Sequence, residues 1–146
     1  MNDRTGTNDL AATKQLALTF LDHCFKGNLE AVVAMLAPGA TWWVLGDPQK
    51  LKVSGTRQVD QITRFLQNVR RGFPEGLQAE ILGVTAEGER VAIEASSSAR
   101  MSNGQPYSNR YHFLIKVRDG RVLEMREYLD TYLAYEAQLS SAPPPK

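Results

Sequence analysis

The chain has 146 residues, with 17 Lys and Arg against 16 Asp and Glu, and this near balance offers no electrostatic footing for nucleic acid or an anionic membrane as partner. Its length suits one domain that buries its own core. One cysteine excludes an internal disulfide framework, and no apolar run reaches the roughly 18 residues that would cross a bilayer.

The opening MNDRTGTNDLAATK is polar and lacks the apolar centre of a signal peptide. Residues 1–8 are therefore expected to form a flexible N-terminus, and the protein to be soluble and cytoplasmic. Over residues 9–26, Leu10, Leu16, Ala17, Phe20, Leu21 and Cys24 recur at helical spacing, and Gly27 closes the run. A short second helix is expected at 29–36, stopped by Pro38-Gly39. The segment ATWWVL (40–45) has strand character and is turned by Gly46-Asp47-Pro48. An extended piece at 51–54 leads to a third helix at 56–70, with Val59, Ile62, Phe65, Leu66 and Val69 on one side. Four strands follow, at 77–87, 90–101, 106–118 and 121–132, with turns at Glu87-Gly88-Glu89, Asn103-Gly104 and Asp119-Gly120. The Pro-rich end SSAPPPK cannot continue a helix, so the domain is expected to span 9–136 and residues 137–146 to be disordered. Helices first and antiparallel strands last make the class α+β: three helices packed on a curved, mainly antiparallel sheet, leaving a cone.

Strand alternation points to a site. In the last strand Leu123, Met125, Glu127 and Leu129 share one face, while Glu124, Arg126, Tyr128 and Asp130 share the other. A carboxylate among apolar neighbours is costly to bury unless it is paired, hydrogen-bonded or protonated, which makes Glu127 a candidate for acid–base work. The plainer alternative puts it near the sheet edge beside an Arg. Alternation also groups Tyr111, Phe113, Ile115 and Val117 and turns His112 away from them. Trp42 and Trp43 face opposite sides. Cys24 suits a core filler better than a nucleophile, and His23 beside it has no further ligand at metal spacing. No phosphate loop, paired Cys-x-x-Cys or serine elbow is present, so neither a metal nor a dissociable cofactor is expected.

The segments FKGNLEAVVAMLAPGATWW, GTRQV and RDGRVLEMREYLDTY, in this order of elements, resemble the SnoaL-like branch of the nuclear-transport-factor-2-like superfamily. That branch groups polyketide cyclases with limonene epoxide hydrolase and ketosteroid isomerase, and the likeness covers about 13–135. It implies a cone-shaped fold, and it fixes the reaction poorly because the superfamily hosts many chemistries and also binding domains. Aligned by its turns, the limonene epoxide hydrolase set falls on Glu127, Glu94, Ser96, Trp43 and Leu45, of which Glu127 alone keeps its chemistry. The donors of ketosteroid isomerase fall near Phe20 and Phe113, neither of which can donate to an enolate. The cyclase pattern of one acid–base carboxylate in an apolar pocket is met.

The resemblance thus implies Glu127 and Glu94 as a catalytic carboxylate pair. Trp43, Phe20, Ser96, Asn109, Tyr111, Phe113, Met125 and Asp130 are its ligand-binding candidates, with Asn109 and Tyr111 as donors to a ligand carbonyl. For Glu94 the alternative is an ion pair with Arg110 or Arg126 on the outer face, and for Asp130 a structural acceptor role. The orientation of 91–99 stays open, because Val91 and Ile93 share one face and Glu94 with the serines the other. The expected activity is isomerase, cyclase or dehydratase chemistry on an apolar small molecule; the alternatives are a non-catalytic ligand-binding module and an epoxide hydrolase with a rebuilt site. Arg110, His112, Leu114, Arg126 and Tyr128 on the outer sheet face suit a homodimer.

Overall fold

Asp119-Gly120 turns the chain between the last two strands of the sheet. Both residues have positive φ, 51° and 74°, as a two-residue type I′ hairpin requires, and Arg118 faces Arg121 across the turn. The structure, a computed structural model, describes residues 4–141. In chain order it comprises α1 (Arg4–Lys26), α2 (Leu29–Met35), β1 (Leu36–Val44), β2 (Gly55–Gln58), α3 (Val59–Gly72), β3 (Gln78–Glu87), β4 (Arg90–Arg100), β5 (Pro106–Arg118), β6 (Arg121–Leu129) and α4 (Thr131–Ser141). The six strands form one sheet in the order β2-β1-β6-β5-β4-β3. All neighbours are antiparallel except β1 and β6, which run parallel. The α+β class and the mainly antiparallel sheet are as the sequence predicts.

The core lies between the helices and the inner sheet face. Ala17, Phe20, Leu21, Cys24 and Phe25 form the buried stripe of α1, and Ile62 and Leu66 that of α3. They meet Val91, Ile93 and Ala95 of β4, Tyr111, Phe113 and Ile115 of β5, and Met125 of β6. Each large apolar side chain sealed there contributes about 1.5–3 kcal/mol.

The structure departs from the expected elements in five places. Helix α1 starts at Arg4, inside the 1–8 stretch expected to be a flexible N-terminus. Residues 55–58 form β2, paired with β1 from Trp43↔Thr56 to Thr41↔Gln58, so α3 starts three residues later than predicted. A reciprocal Gln58–Gln61 capping box marks that start. Residues 51–54, expected to be extended, form turns. Pro38-Gly39 does not end a helix but sits within β1, where Gly39 takes φ 77° and the pairing with β6 shifts register. Finally, β6 stops at Leu129 and α4 follows, running through residues 137–141 where the disordered tail was expected to begin. Asp130 causes the switch: its Oδ1 accepts from the N–H of Tyr132 at 3.0 Å and of Leu133 at 3.2 Å, a helix cap. The remainder of that tail and residues 1–3 lie outside the described residues. Among the described residues no helix is long and apolar enough to cross a membrane.

Candidate functional site

A cavity of about 670 Å³ opens between the inner sheet face, α1, α3 and α4. Its wall is mainly aromatic and aliphatic, with Phe25, Trp42, Phe65, Phe73 and Phe113 supplying the rings. Ala134, Ala137 and Gln138 of α4 close one side. The α4 helix is clasped to the 50–52 loop by one amide used in both directions. Gln138 Oε1 accepts from Lys52 N at 2.7 Å, and Gln138 Nε2 donates to Lys50 O at 2.9 Å.

Glu127 is the single carboxylate in this lining. It reaches inward because β6 alternates Met125, Glu127, Leu129 on that face and pairs Glu127 with Phe113 of β5. Protein surrounds the carboxyl group, and what surface it keeps opens on the cavity. Trp42 Nε1 donates to its Oε1 at 3.2 Å. Burial pushes the Glu127 pKa up to about 7, against the lowering effects of the Trp42 hydrogen bond and the Arg57 charge. Arg57 does not touch it as an ion pair. Its guanidinium donates to Val53 O at 2.6 Å and Lys52 O at 3.2 Å and lies 4.2 Å from the Phe65 ring centre. Phe65 in turn packs edge-on against Trp42, with ring centres 5.5 Å apart. Cys24 also lines the cavity, and burial, with a smaller push from Glu127, raises its thiol pKa well above normal. It is therefore no ready nucleophile.

A second polar cluster sits on β4 and β5. The Tyr111 hydroxyl and Ser97 Oγ are 2.8 Å apart, and Asn109 Nδ2 donates to the Tyr107 hydroxyl at 2.9 Å and to Asp130 O at 3.1 Å. Tyr107 and Tyr111 both line the cavity. Asn109 itself is 2% exposed and absent from the lining. Its Oδ1 accepts from the N–H of Arg110 at 2.7 Å and of Asp130 at 3.0 Å. Asn109→Ala should therefore cost about 2–3 kcal/mol in urea unfolding, since it removes a buried four-way clamp between β5 and the end of β6.

Of the residues proposed from sequence, Glu127, Tyr111 and Phe113 line the cavity. The others lie elsewhere. Glu94 is exposed on the outer face opposite His112, and Ser96 shares its parity, because Val91, Ile93, Ala95 and Ser97 hold the inner face of β4. The turn-anchored comparison is thus one residue out of phase, and alternation is the better guide. Trp43 also points outward, edge-on to Tyr128 at 5.1 Å with the Arg126 guanidinium 4.2 Å from its ring centre; Trp42 holds the inner position instead. Phe20 and Met125 are sealed in the core without reaching the cavity, and Asn109 and Asp130 serve as clamp and helix cap. Leu123 leaves the inner face because a bulge near the turn pairs Val117 with Val122.

Sequence reasoning misses Tyr107, Trp42, Ser97 and Arg57. Tyr107 is recoverable, since the alternation through Tyr111 and Phe113 extends back to it. Nothing local marks Arg57. Among the described residues no group of three or more His, Cys, Asp or Glu could hold a metal ion.

A family model described as the SnoaL-like domain matches residues 17–125. The chain belongs to this family. Solved structures agree in fold. A SnoaL-like protein from Jannaschia sp. CCS1, provisionally named a polyketide cyclase, is 22% identical with a TM-score of 0.73, the match covering 92% of this chain and 94% of that one. A limonene-epoxide-hydrolase-like epoxide hydrolase from M. tuberculosis is 17% identical with a TM-score of 0.71, covering 90% and 92%. PrhC from Penicillium brasilianum NBRC 6234 is 15% identical with a TM-score of 0.78, covering 89% and 87%. At these identities the likeness carries the SnoaL-like fold and no reaction. No curated protein matches the chain.

Proposed function

We propose that the cavity binds a largely apolar, cyclic, carbonyl-bearing small molecule, and that Glu127 works on it as a general acid–base in an isomerase, cyclase or dehydratase reaction. The observation that carries this reading is one carboxylate in an apolar cavity, hydrogen-bonded by Trp42, whose pKa burial pushes up to about 7. A group with that pKa has both its forms at hand under neutral conditions. As carboxylate, Glu127 takes a proton from carbon beside the carbonyl, and the electron pair moves to the carbonyl oxygen as an enolate. As carboxylic acid, after its proton has traded with solvent, it protonates the enolate at the same or another carbon, or a departing hydroxyl. One carboxylate serves both steps, so Glu94 is not required.

The test is deuterium exchange. Wild-type protein incubated with cyclic ketones in D2O is expected to place deuterium on the carbon beside the carbonyl faster than buffer, as mass spectrometry reads. Ketones that bind without exchange above background would sink the catalytic assignment and leave a ligand-binding module. That second reading is favoured by one observation: the wall is mainly aromatic and aliphatic, as a site that only holds an apolar ligand needs.

A further inference from the structure

We propose that Tyr107 is the hydrogen-bond donor to the ligand, so that the molecule the cavity takes carries an acceptor oxygen on the side away from the apolar helices, against the start of β5. This deepens the proposed function and rests on its reading of the cavity as a site for carbonyl compounds.

Hydrogen-bond accounting on Asn109 carries the argument. The orientation of a buried amide must be inferred from its neighbours, and here the neighbours decide it. One end of the amide faces two backbone N–H groups, those of Arg110 and Asp130, so that end is the oxygen. The other end is then the NH2 group, and its two hydrogens go to Asp130 O and to the Tyr107 hydroxyl oxygen. Tyr107 is thereby fixed as an acceptor in this contact, and its own proton has no partner among the described side chains and backbone. Tyr107 lines the cavity, where a donor without a protein partner can meet a ligand. The neighbouring Tyr111 hydroxyl bonds Ser97 Oγ, and its contact with Tyr107 lowers the Tyr107 pKa and raises that of Tyr111, as it does when Tyr111 donates and leaves the Tyr107 proton free.

Electrostatics add to this. Burial raises the Tyr107 pKa, while the hydrogen bonds from Asn109 and Tyr111 work in the opposite direction. Both therefore stabilise negative charge on the Tyr107 oxygen, which makes its O–H a better donor. The phenol stays protonated at neutral pH and places a dipole, not a charge, at the acceptor. Asn109 acts through Tyr107 and is a positioning residue.

The probe is 2-decalone labelled with carbon-13 at its carbonyl, with trans-decalin as the hydrocarbon of the same shape. Binding is measured by calorimetry and the carbonyl stretch by infrared spectroscopy, at about pH 9, where Glu127 is ionised and cannot donate. Wild type is expected to bind the ketone about tenfold tighter than Tyr107→Phe, the loss of one neutral hydrogen bond. Decalin should bind both proteins equally, and the bound carbonyl band should lie lower in wild type than in the variant. An unchanged ketone affinity and band in Tyr107→Phe would overturn the proposal. So would an equal loss for decalin, which would mean the ring only shapes the wall. Should Tyr107→Phe not fold, the wild-type band decides alone: a bound carbonyl vibrating as it does in hydrocarbon solvent overturns the assignment. Failure of the proton-transfer reading looks different, as a hydrogen-bonded ketone that exchanges no deuterium.

Discussion

Glu127→Gln is expected to abolish deuterium exchange and, at the same time, to make the protein more stable above neutral pH. The amide keeps the shape and can still accept from Trp42, but it neither takes up nor releases a proton. The stability effect follows from linkage. Burial holds the Glu127 pKa near 7, above the value of about 4.5 it has when unfolded, so the native state binds this proton more tightly than the unfolded state does. The resulting stability is fully present below the unfolded pKa. It is lost as pH rises toward the folded pKa, and above about pH 7 the loss is complete and on the order of 3 kcal/mol. Gln carries no such loss. Urea unfolding at about pH 5 and about pH 8.5 should therefore show wild type weakening between the two while the variant does not, by that same order. A wild type whose stability is flat across the interval would show that Glu127 is solvated, and carboxyl-carbon NMR would then find its midpoint near 4.3.

Trp42→Phe should move the activity profile rather than erase it. The indole N–H is the one direct hydrogen bond described for the Glu127 carboxyl, and a donor favours the ionised form. Hydrogen bonds to charged groups are worth about 1.5–3 kcal/mol. Deleting this one should raise the Glu127 midpoint by about one unit or more, since one unit corresponds to 1.36 kcal/mol. The acid limb of exchange against pH should shift alkaline by the same amount. A phenyl ring keeps part of the edge-on contact that Trp42 makes with Phe65, so the fold should survive with a modest loss for the smaller ring. An unshifted limb would mean that solvent already supplies what the indole provides. Trp43→Phe is the natural control, because Trp43 packs edge-on against Tyr128 and under the Arg126 guanidinium on the other face.

How much of this is legible from the residues depends on whether the signal is local. Alternation within each strand groups Tyr111 with Phe113 and sets Glu127 between Met125 and Leu129, so the apolar faces can be matched directly; the Asp119-Gly120 turn alone would mispair them, because a bulge between Lys116 and Val117 moves the register by one residue. On β4 the same parity puts Val91 and Ile93 inward and Glu94 outward, and the family comparison misleads by one residue. In a strand that reverses every side chain. The choice between Trp42 and Trp43 depends on which of them faces Met125 and Glu127 across a parallel pair between strands some eighty residues apart in sequence, and no local pattern records that. β2 is hidden because residues 55–58 lead directly into a helix, and α4 because the Pro-rich end argues against a helix unless Asp130 is recognised as its cap. Arg57 owes its place to two loop carbonyls and an aromatic face, contacts that exist only once the fold does.

Cys24 offers a practical route to the unknown ligand. It is the chain's one cysteine, and its sulfur is buried in the wall of the cavity that also holds Glu127. Alkylating reagents can attack only after entering that space or the crevice adjoining it, and the raised thiol pKa makes the background reaction slow. A compound that fills the cavity closes the route through it and slows attack on the sulfur. Protection from alkylation, read as intact mass across a metabolite library, would therefore rank occupants whatever reaction they go on to undergo, and a native single-site reporter needs no engineering to do it.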